Sequence, residues 1–173
     1  AGGIDLAVGA TAAMSGACVV LTIVKMDYSF TGVILGILFG LAAGVMAGIA
    51  HGAIVSNFNV PPFLITLASQ NIIYGIAQLL TGNQVISCLE PAAFTFLGGG
   101  RLFGIPFSVC ILVIVALISF WLLNRTIFGR QVYAVGGNKE ASNLSGVSSK
   151  RITTVSYAIS GFTAALARSE EHT

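Results

Sequence analysis

Chemistry needs ionisable or nucleophilic groups that can meet, and this chain offers few. Its histidines are His51 and His172, its cysteines are Cys18, Cys88 and Cys110, and the acids Asp5, Asp27 and Glu90 are scattered. No spacing among them matches a zinc-protease helix, a Cys-x-x-Cys pair or a Ser/His/Asp set. Gly98-Gly99-Gly100-Arg101 hints at a phosphate loop but lacks the Gly-Lys-Ser/Thr ending that cradles phosphates. Neither a catalytic residue, a metal ligand nor a cofactor site is therefore expected. With no means of binding ATP itself, the chain must draw energy for any active process from a partner. Cys18 and Cys110 read as apolar filler inside apolar runs, and Cys88 as a free thiol in a polar stretch.

A second kind of chemistry is open to it: recognition of a polar solute. Ser69, Gln70 and Asn71, with Tyr74 and then Gln78, interrupt a long apolar run. Polar side chains at membrane depth seek a bundle interior or a watery cavity. They can hydrogen-bond a polyhydroxyl solute or another helix, and both readings stand. Asp5, after Gly2-Gly3-Ile4, has two readings as well. Its carboxylate can cap the helix that follows, or mark a broken helix of the sort found at transport sites. Capping is the reading adopted. His51 reads as a hydrogen-bonded interfacial histidine.

The elements that must hold these residues are apolar. Hydrophobic residues make up 55% of the 173 and charged residues 8%, against about a quarter charged in soluble domains. That excludes a soluble globular domain, a disordered chain and a nucleic-acid binder. Apolar runs cover residues 6–24, 30–55, 62–80, 105–124 and 152–167. The first four reach the roughly 20 residues a spanning helix needs, and the fifth stops short. The expected fold is all-α, a polytopic transmembrane helical bundle of about five spans. Between the fourth and fifth runs lie Arg125, Arg130, Lys139, Lys150 and Arg151 against Glu140 alone, which places residues 125–151 in the cytoplasm. Counting back, the Cys88 region faces outward and the first run travels from inside to outside.

Two further patterns stand out. Gly32, Gly36, Gly40, Gly44, Gly48 and Gly52 recur every fourth residue, a stripe along which another backbone can approach. Packing against neighbouring helices of the same chain is the reading adopted, with a dimer face as the alternative. In the 125–151 loop, Asn138 is a good cap for a short helix over residues 139–145 and Gly146 a good stop. Such a helix, carrying Ala141 and Leu144, looks built to sit in a groove on a partner.

Taken in order, these pieces resemble the permease subunit of bacterial ABC importers for simple sugars, the ribose/galactoside/xylose type. The matching residues are Gly3-Ile4-Asp5-Leu6 with Val8-Gly9, Val60-Pro61-Pro62-Phe63 with Thr66-Leu67, and Leu79-Leu80-Thr81-Gly82. Gly104-Ile105-Pro106, Phe128-Gly129-Arg130 through Gly137-Asn138, Glu140-Ala141, Leu144-Ser145-Gly146 and Ser160-Gly161 follow. The resemblance implies a transport subunit that is not itself an enzyme, placed in the bacterial cytoplasmic (inner) membrane. It would translocate a simple sugar by alternating access. Its implied partners are ABC ATPase subunits on the cytoplasmic side, a periplasmic or extracellular sugar-binding protein, and a second permease copy or homologue completing a dimer in the lipid.

The family's ATPase-docking Glu-Ala-Ala…Gly element would correspond here to Asn138, Lys139, Glu140, Ala141, Ser142, Leu144, Ser145 and Gly146, with Ser142 in place of the second alanine. Asp5, Ser69, Gln70, Asn71 and Tyr74 are the candidate translocation path. Gln70 and Asn71 depart from the less polar residues common in relatives. A branched-chain amino acid permease of the same architecture is the alternative, and a passive solute channel a further one. The resemblance also implies a fragment, with residues 1–167 forming a transmembrane permease domain and further helices on either side. Arg168-Ser169-Glu170-Glu171-His172-Thr173 would put an arginine and two glutamates in mid-membrane, at about 2.5–3.5 kcal/mol each. Those six residues match the translated start of a common sequencing adapter, and residues 168–173 are expected to be an artefact outside the fold.

Overall fold

The computed structural model describes residues 2–58, 60–84, 100–102 and 104–168. Cys88, Glu90, Gly98, Gly99 and residues 169–173 lie outside the described residues, and so do the expectations attached to them. Among the described residues the chain is all-α apart from one two-residue ladder. Helices α1 (Val8–Lys25), α2 (Phe30–Phe58) and α3 (Pro62–Thr81) precede strands β1 (Arg101–Leu102) and β2 (Ile105–Pro106). Helices α4 (Phe107–Arg125), α5 (Ile127–Gly137), α6 (Lys139–Leu144) and α7 (Ser149–Arg168) follow. The strands pair antiparallel, Arg101 with Pro106 and Leu102 with Ile105.

Local chemistry sets the boundaries. Between α1 and α2 the chain reverses through Asp27 and Tyr28, both left-handed (φ 49° and 56°). Ser29 Oγ then accepts from the Gly32 N–H at 3.1 Å, satisfying a donor in the first turn of α2. Helix α3 starts on Pro61-Pro62, where a missing N–H costs nothing. It stops at Gly82 (φ +63°), with the Asn83 N–H donating back to the Gln78 carbonyl at 2.8 Å.

Helices α1, α2, α3 and α4 are long and apolar enough to cross a membrane, which makes this a multi-pass membrane protein. The fifth expected span differs. Helix α7 begins three residues earlier than its apolar run and has 20 residues, but Ser149, Thr153, Thr154, Ser156, Ser160 and Thr163 make it more polar than the other four. Its position explains this. It packs along α2 and also touches α1, burying Ile152, Tyr157, Gly161, Ala164 and Ala165. An interior helix need not match lipid. Helix α4 is the opposite case: it buries no residue, and Leu112, Leu117, Ile118, Phe120 and Trp121 all face outward.

The glycine row of α2 is the seam of the bundle. Four residues turn a helix by about 40° more than one revolution, so the row winds around α2. Its first half faces α1: a Cβ on Gly36 would stand 2.9 Å from the Val19 carbonyl oxygen, and one on Gly40 3.0 Å from that of Ser15. Its second half faces α7, where Gly44 meets the Gly161 carbonyl, Gly48 that of Tyr157, and Gly52 the Thr154 backbone. Helices of the same chain fill this stripe.

Candidate functional site

Five elements meet at one end of the bundle: the segment before α1, the end of α2, the start of α3, α6 and the start of α7. Thr66 ties two of them together. Fully buried on α3, its Oγ1 accepts from the Leu6 N–H at 3.1 Å and lies 3.4 Å from the Ile4 carbonyl oxygen. It also lies 3.1 Å from the Pro62 carbonyl one turn back, which can accept its proton. Asp5 ties in a third. One carboxylate oxygen accepts from the Ala7 N–H at 3.0 Å, the other from Ser160 Oγ on α7 at 2.9 Å.

Asp5 therefore does not cap α1. The cap position belongs to Ala7, which has no side-chain acceptor, and Asp5 lies too far upstream to reach the first free N–H groups of the helix. Its carboxylate closes a local turn and holds α7 instead. Nearby, His51 and Tyr157 are buried, at 4% and 5% exposure.

The other candidate path residues divide. Ser69 is half-buried and donates to the Thr66 carbonyl at 3.1 Å, beside the Asp5 cluster. Gln70 is half-buried, while Asn71, Tyr74 and Gln78 are exposed. The last three, spaced by three and four, form one polar stripe on the side of α3 turned from α1. The structure thus groups Asp5 with Ser69 and sets Asn71 and Tyr74 apart.

The loop over residues 125–151 is more ordered than a capped short helix. Helix α5 precedes it, started by Thr126, whose Oγ1 accepts from the Gly129 N–H at 3.2 Å. Gly129 is there because the turn from α4 is so tight that a Cβ would run into the Leu123 carbonyl. Asn138 then caps α6, its Oδ1 accepting from the Ala141 N–H at 2.9 Å. Gly146 sits at φ +81° just beyond the helix end, and the Val147 N–H returns to the Ser142 carbonyl at 3.0 Å. Asn143 Oδ1 accepts from the Ser149 N–H at 3.0 Å, joining α6 to the start of α7.

Within α6 the candidate coupling residues face two ways. Lys139, Glu140, Ala141, Ser145 and Gly146 are exposed, and Leu144 is 91% exposed. Ser142 is turned inward, buried, with Oγ donating to the Asn138 carbonyl at 2.7 Å. It anchors the element rather than presenting a surface.

Sequence reasoning passed over Thr66, Ser160 and Tyr157 as site residues, although Thr66 and Ser160 fall inside the quoted motifs. Thr66 meets Leu6 directly but lies 60 positions along the chain from it, and such a contact leaves no local pattern. Among the described residues, no three of His, Cys, Asp and Glu come close enough to hold a metal ion.

Comparison with known proteins gives concordant matches. The family model described as branched-chain amino acid transport system / permease component matches residues 1–167. The ribose import permease protein RbsC of Bacillus subtilis (strain 168) is 38% identical over 167 residues, covering 96% of this chain and 51% of that protein. The galactofuranose transporter permease protein YtfT of Escherichia coli (strain K12) is 36% identical, covering 96% and 47%. The L-arabinose transport system permease protein AraH of the same strain is 34% identical, covering 96% and 49%. The chain thus spans about half the length of the curated relatives it matches. No solved structure matches.

Proposed function

The chain belongs to the family of branched-chain amino acid transport system permease components, and from that premise we propose that it serves as the membrane-spanning permease part of an ATP-driven importer for a simple sugar. The observation that carries the sugar assignment is the identity of 34–38% to permeases named for ribose, galactofuranose and arabinose, over nearly all of this chain. The family description names amino acids, but these relatives are named for sugars. The importer sits in the bacterial inner membrane, with a sugar-binding protein outside, ATPase subunits at the basic end, and a second permease copy or homologue.

The physical role of each part follows. Exposed Leu144, Ala141 and Glu140 on α6 dock in a groove of the ATPase. Displacement of α6 passes to α7 through Asn143 and Ser149, and from α7 to α2 through the backbone contacts of Gly44, Gly48 and Gly52. Helices in such close contact move as a body, because packed backbones cannot slide without opening voids. The polar stripe of Asn71, Tyr74 and Gln78 on α3 lines the path, since polar groups facing lipid are costly. Asp5 and Ser69 brace that helix. The permease itself takes no part in bond chemistry.

The test is uptake by the full-length permease, reconstituted with its ATPase and binding protein, of ribose, arabinose, galactose and leucine. ATP-dependent uptake of a sugar and none of leucine is expected. Leucine uptake alone would turn the assignment to the amino acid class, and ATP-independent flux to a channel. In the same system Gly146→Arg and Ala141→Trp should abolish uptake and co-purification of the ATPase while membrane insertion survives, with Glu140→Ala weaker in effect. The left-handed backbone at Gly146 alone resists a side chain by about 1–2 kcal/mol.

A further inference from the structure

Residues 2–6 form an irregular segment ahead of α1, wedged between α7 and α3. A Cβ on Gly3 would stand 2.7 Å from the Tyr157 hydroxyl of α7 and 3.0 Å from the Pro62 ring of α3, so both helices press on the backbone there. Among the described residues α3 packs on α1 and, more lightly, on α2, with no comparable contact to α7. The segment is thus the direct bridge from α7 to α3, the helix that carries the polar stripe.

Its two grips differ. On the α3 side, the Leu6 N–H and the Ile4 carbonyl both meet Thr66 Oγ1, at 3.1 and 3.4 Å. On the α7 side, Ser160 Oγ donates to Asp5 at 2.9 Å. The local turn at Asp5 uses one carboxylate oxygen, on the Ala7 N–H, and a neutral Asn or Ser closes such turns as well. The second oxygen serves α7, 155 positions away. A hydrogen bond to a carboxylate is roughly twice as strong as a neutral one. Its donor is held in place too, because the backbone of Gly161, next to Ser160, lies against Gly44 of α2. Hydrogen bonds tolerate little stretch or tilt. A shift of α7 together with α2 therefore either draws the segment along or breaks this contact.

We propose that residues 2–6 are a strap coupling α7 to α3, with the Asp5–Ser160 bond as its link, so that displacement of α7 by the ATPase repositions the polar stripe of α3. This rests on the sugar-importer reading and gives Asp5 and Ser160 a positioning role: they act through α3 rather than on the sugar.

Uptake and ATP hydrolysis are measured together in proteoliposomes holding the full-length permease, its ATPase and its binding protein. The probe is whichever of ribose, arabinose and galactose the wild type carries. In Ser160→Ala the sugar carried per ATP hydrolysed should fall about tenfold, a typical coupling between two sites. Asp5→Asn, which keeps the turn and substitutes a neutral bond, should show a smaller fall. Ser160→Thr retains the hydroxyl and should stay near wild type. Ser156→Ala is the control: its hydroxyl lies one turn away and bonds the Ile152 carbonyl within α7, so the ratio should not change. Melting in detergent is recorded for each variant, since a bond that merely holds the fold lowers melting and leaves the ratio alone.

A wild-type ratio in Ser160→Ala, whatever its melting, would show that the strap does not couple. An equal loss in Ser156→Ala would assign the effect to α7 itself and overturn the strap as well. If Ser160→Ala fails to assemble, Asp5→Asn decides, and a wild-type ratio there sinks the proposal. Each of these results leaves the importer reading standing. A wild type that carries none of the three sugars ends both.

Discussion

At the scale of single residues, the joint between the N-terminal segment and the bundle depends on one hydroxyl. Thr66 Oγ1 takes the Leu6 N–H, just ahead of α1, and gives its own proton to a nearby carbonyl. Thr66→Val keeps the shape but takes away the acceptor of that N–H, at about 0.5–1.5 kcal/mol. Thr66→Ser retains the acceptor. In thermal unfolding of the full-length protein in detergent, the valine variant should melt lower and the serine variant close to wild type. Equal melting of both would show that the hydroxyl does not hold the joint. Asn138 and Gly146 are the residues whose roles were plain in the sequence, because capping and a left-handed stop are local and act within a few positions. Asp5 was misassigned as a cap for the converse reason: its second partner, Ser160, is 155 positions away.

Among the elements, α2 decides whether the others can assemble. That something must approach its glycine row was legible in the four-residue spacing. Which helices approach was not, since spacing describes one surface and says nothing of its partner. The row divides between α1 and α7, and α7, whose apolar run over residues 152–167 stops short of a span, is a 20-residue helix packed along α2. Helix α5 lies inside what the charges and apolar runs mark only as a loop, and its Gly129 is demanded by the Leu123 carbonyl pressed against it. The glycines also supply their own control. Gly75 on α3 has nothing within 4 Å of its would-be Cβ, while Gly48 has the Tyr157 carbonyl well inside contact distance. Overpacking a filled site costs about 1–3 kcal/mol, and more where backbone must move. Gly48→Leu and Gly44→Leu should therefore lose the folded permease, read as monodisperse protein in detergent size exclusion. Gly75→Leu should leave it intact. Recovery of Gly48→Leu at wild-type yield would mean that α7 does not pack where it is placed.

For the whole molecule, the question is which way the bundle faces. The alternation of the spans is already internal to the fold. Lys150 Nζ donates to Asn57 Oδ1 at 3.2 Å, joining the start of α7 to the end of α2, and Leu6 joins the start of α3 at Thr66. The start of α1, the end of α2, the start of α3 and the segment from α5 to α7 thus share one end. That end holds Arg125, Arg130, Lys139, Lys150 and Arg151, while Lys25 and Asp27 offset each other at the α1–α2 turn. Basic residues near span ends resist translocation, so the basic end should be cytoplasmic. Leu144, 91% exposed on α6, and Gln84, exposed just past α3, mark the two ends. As single cysteines in a chain otherwise without them, Leu144→Cys should react with an impermeant maleimide only in inside-out vesicles, and Gln84→Cys only on whole cells. Native Cys88 should follow Gln84. The reverse pattern would overturn more than orientation. An α6 that faces outward cannot touch an ATPase.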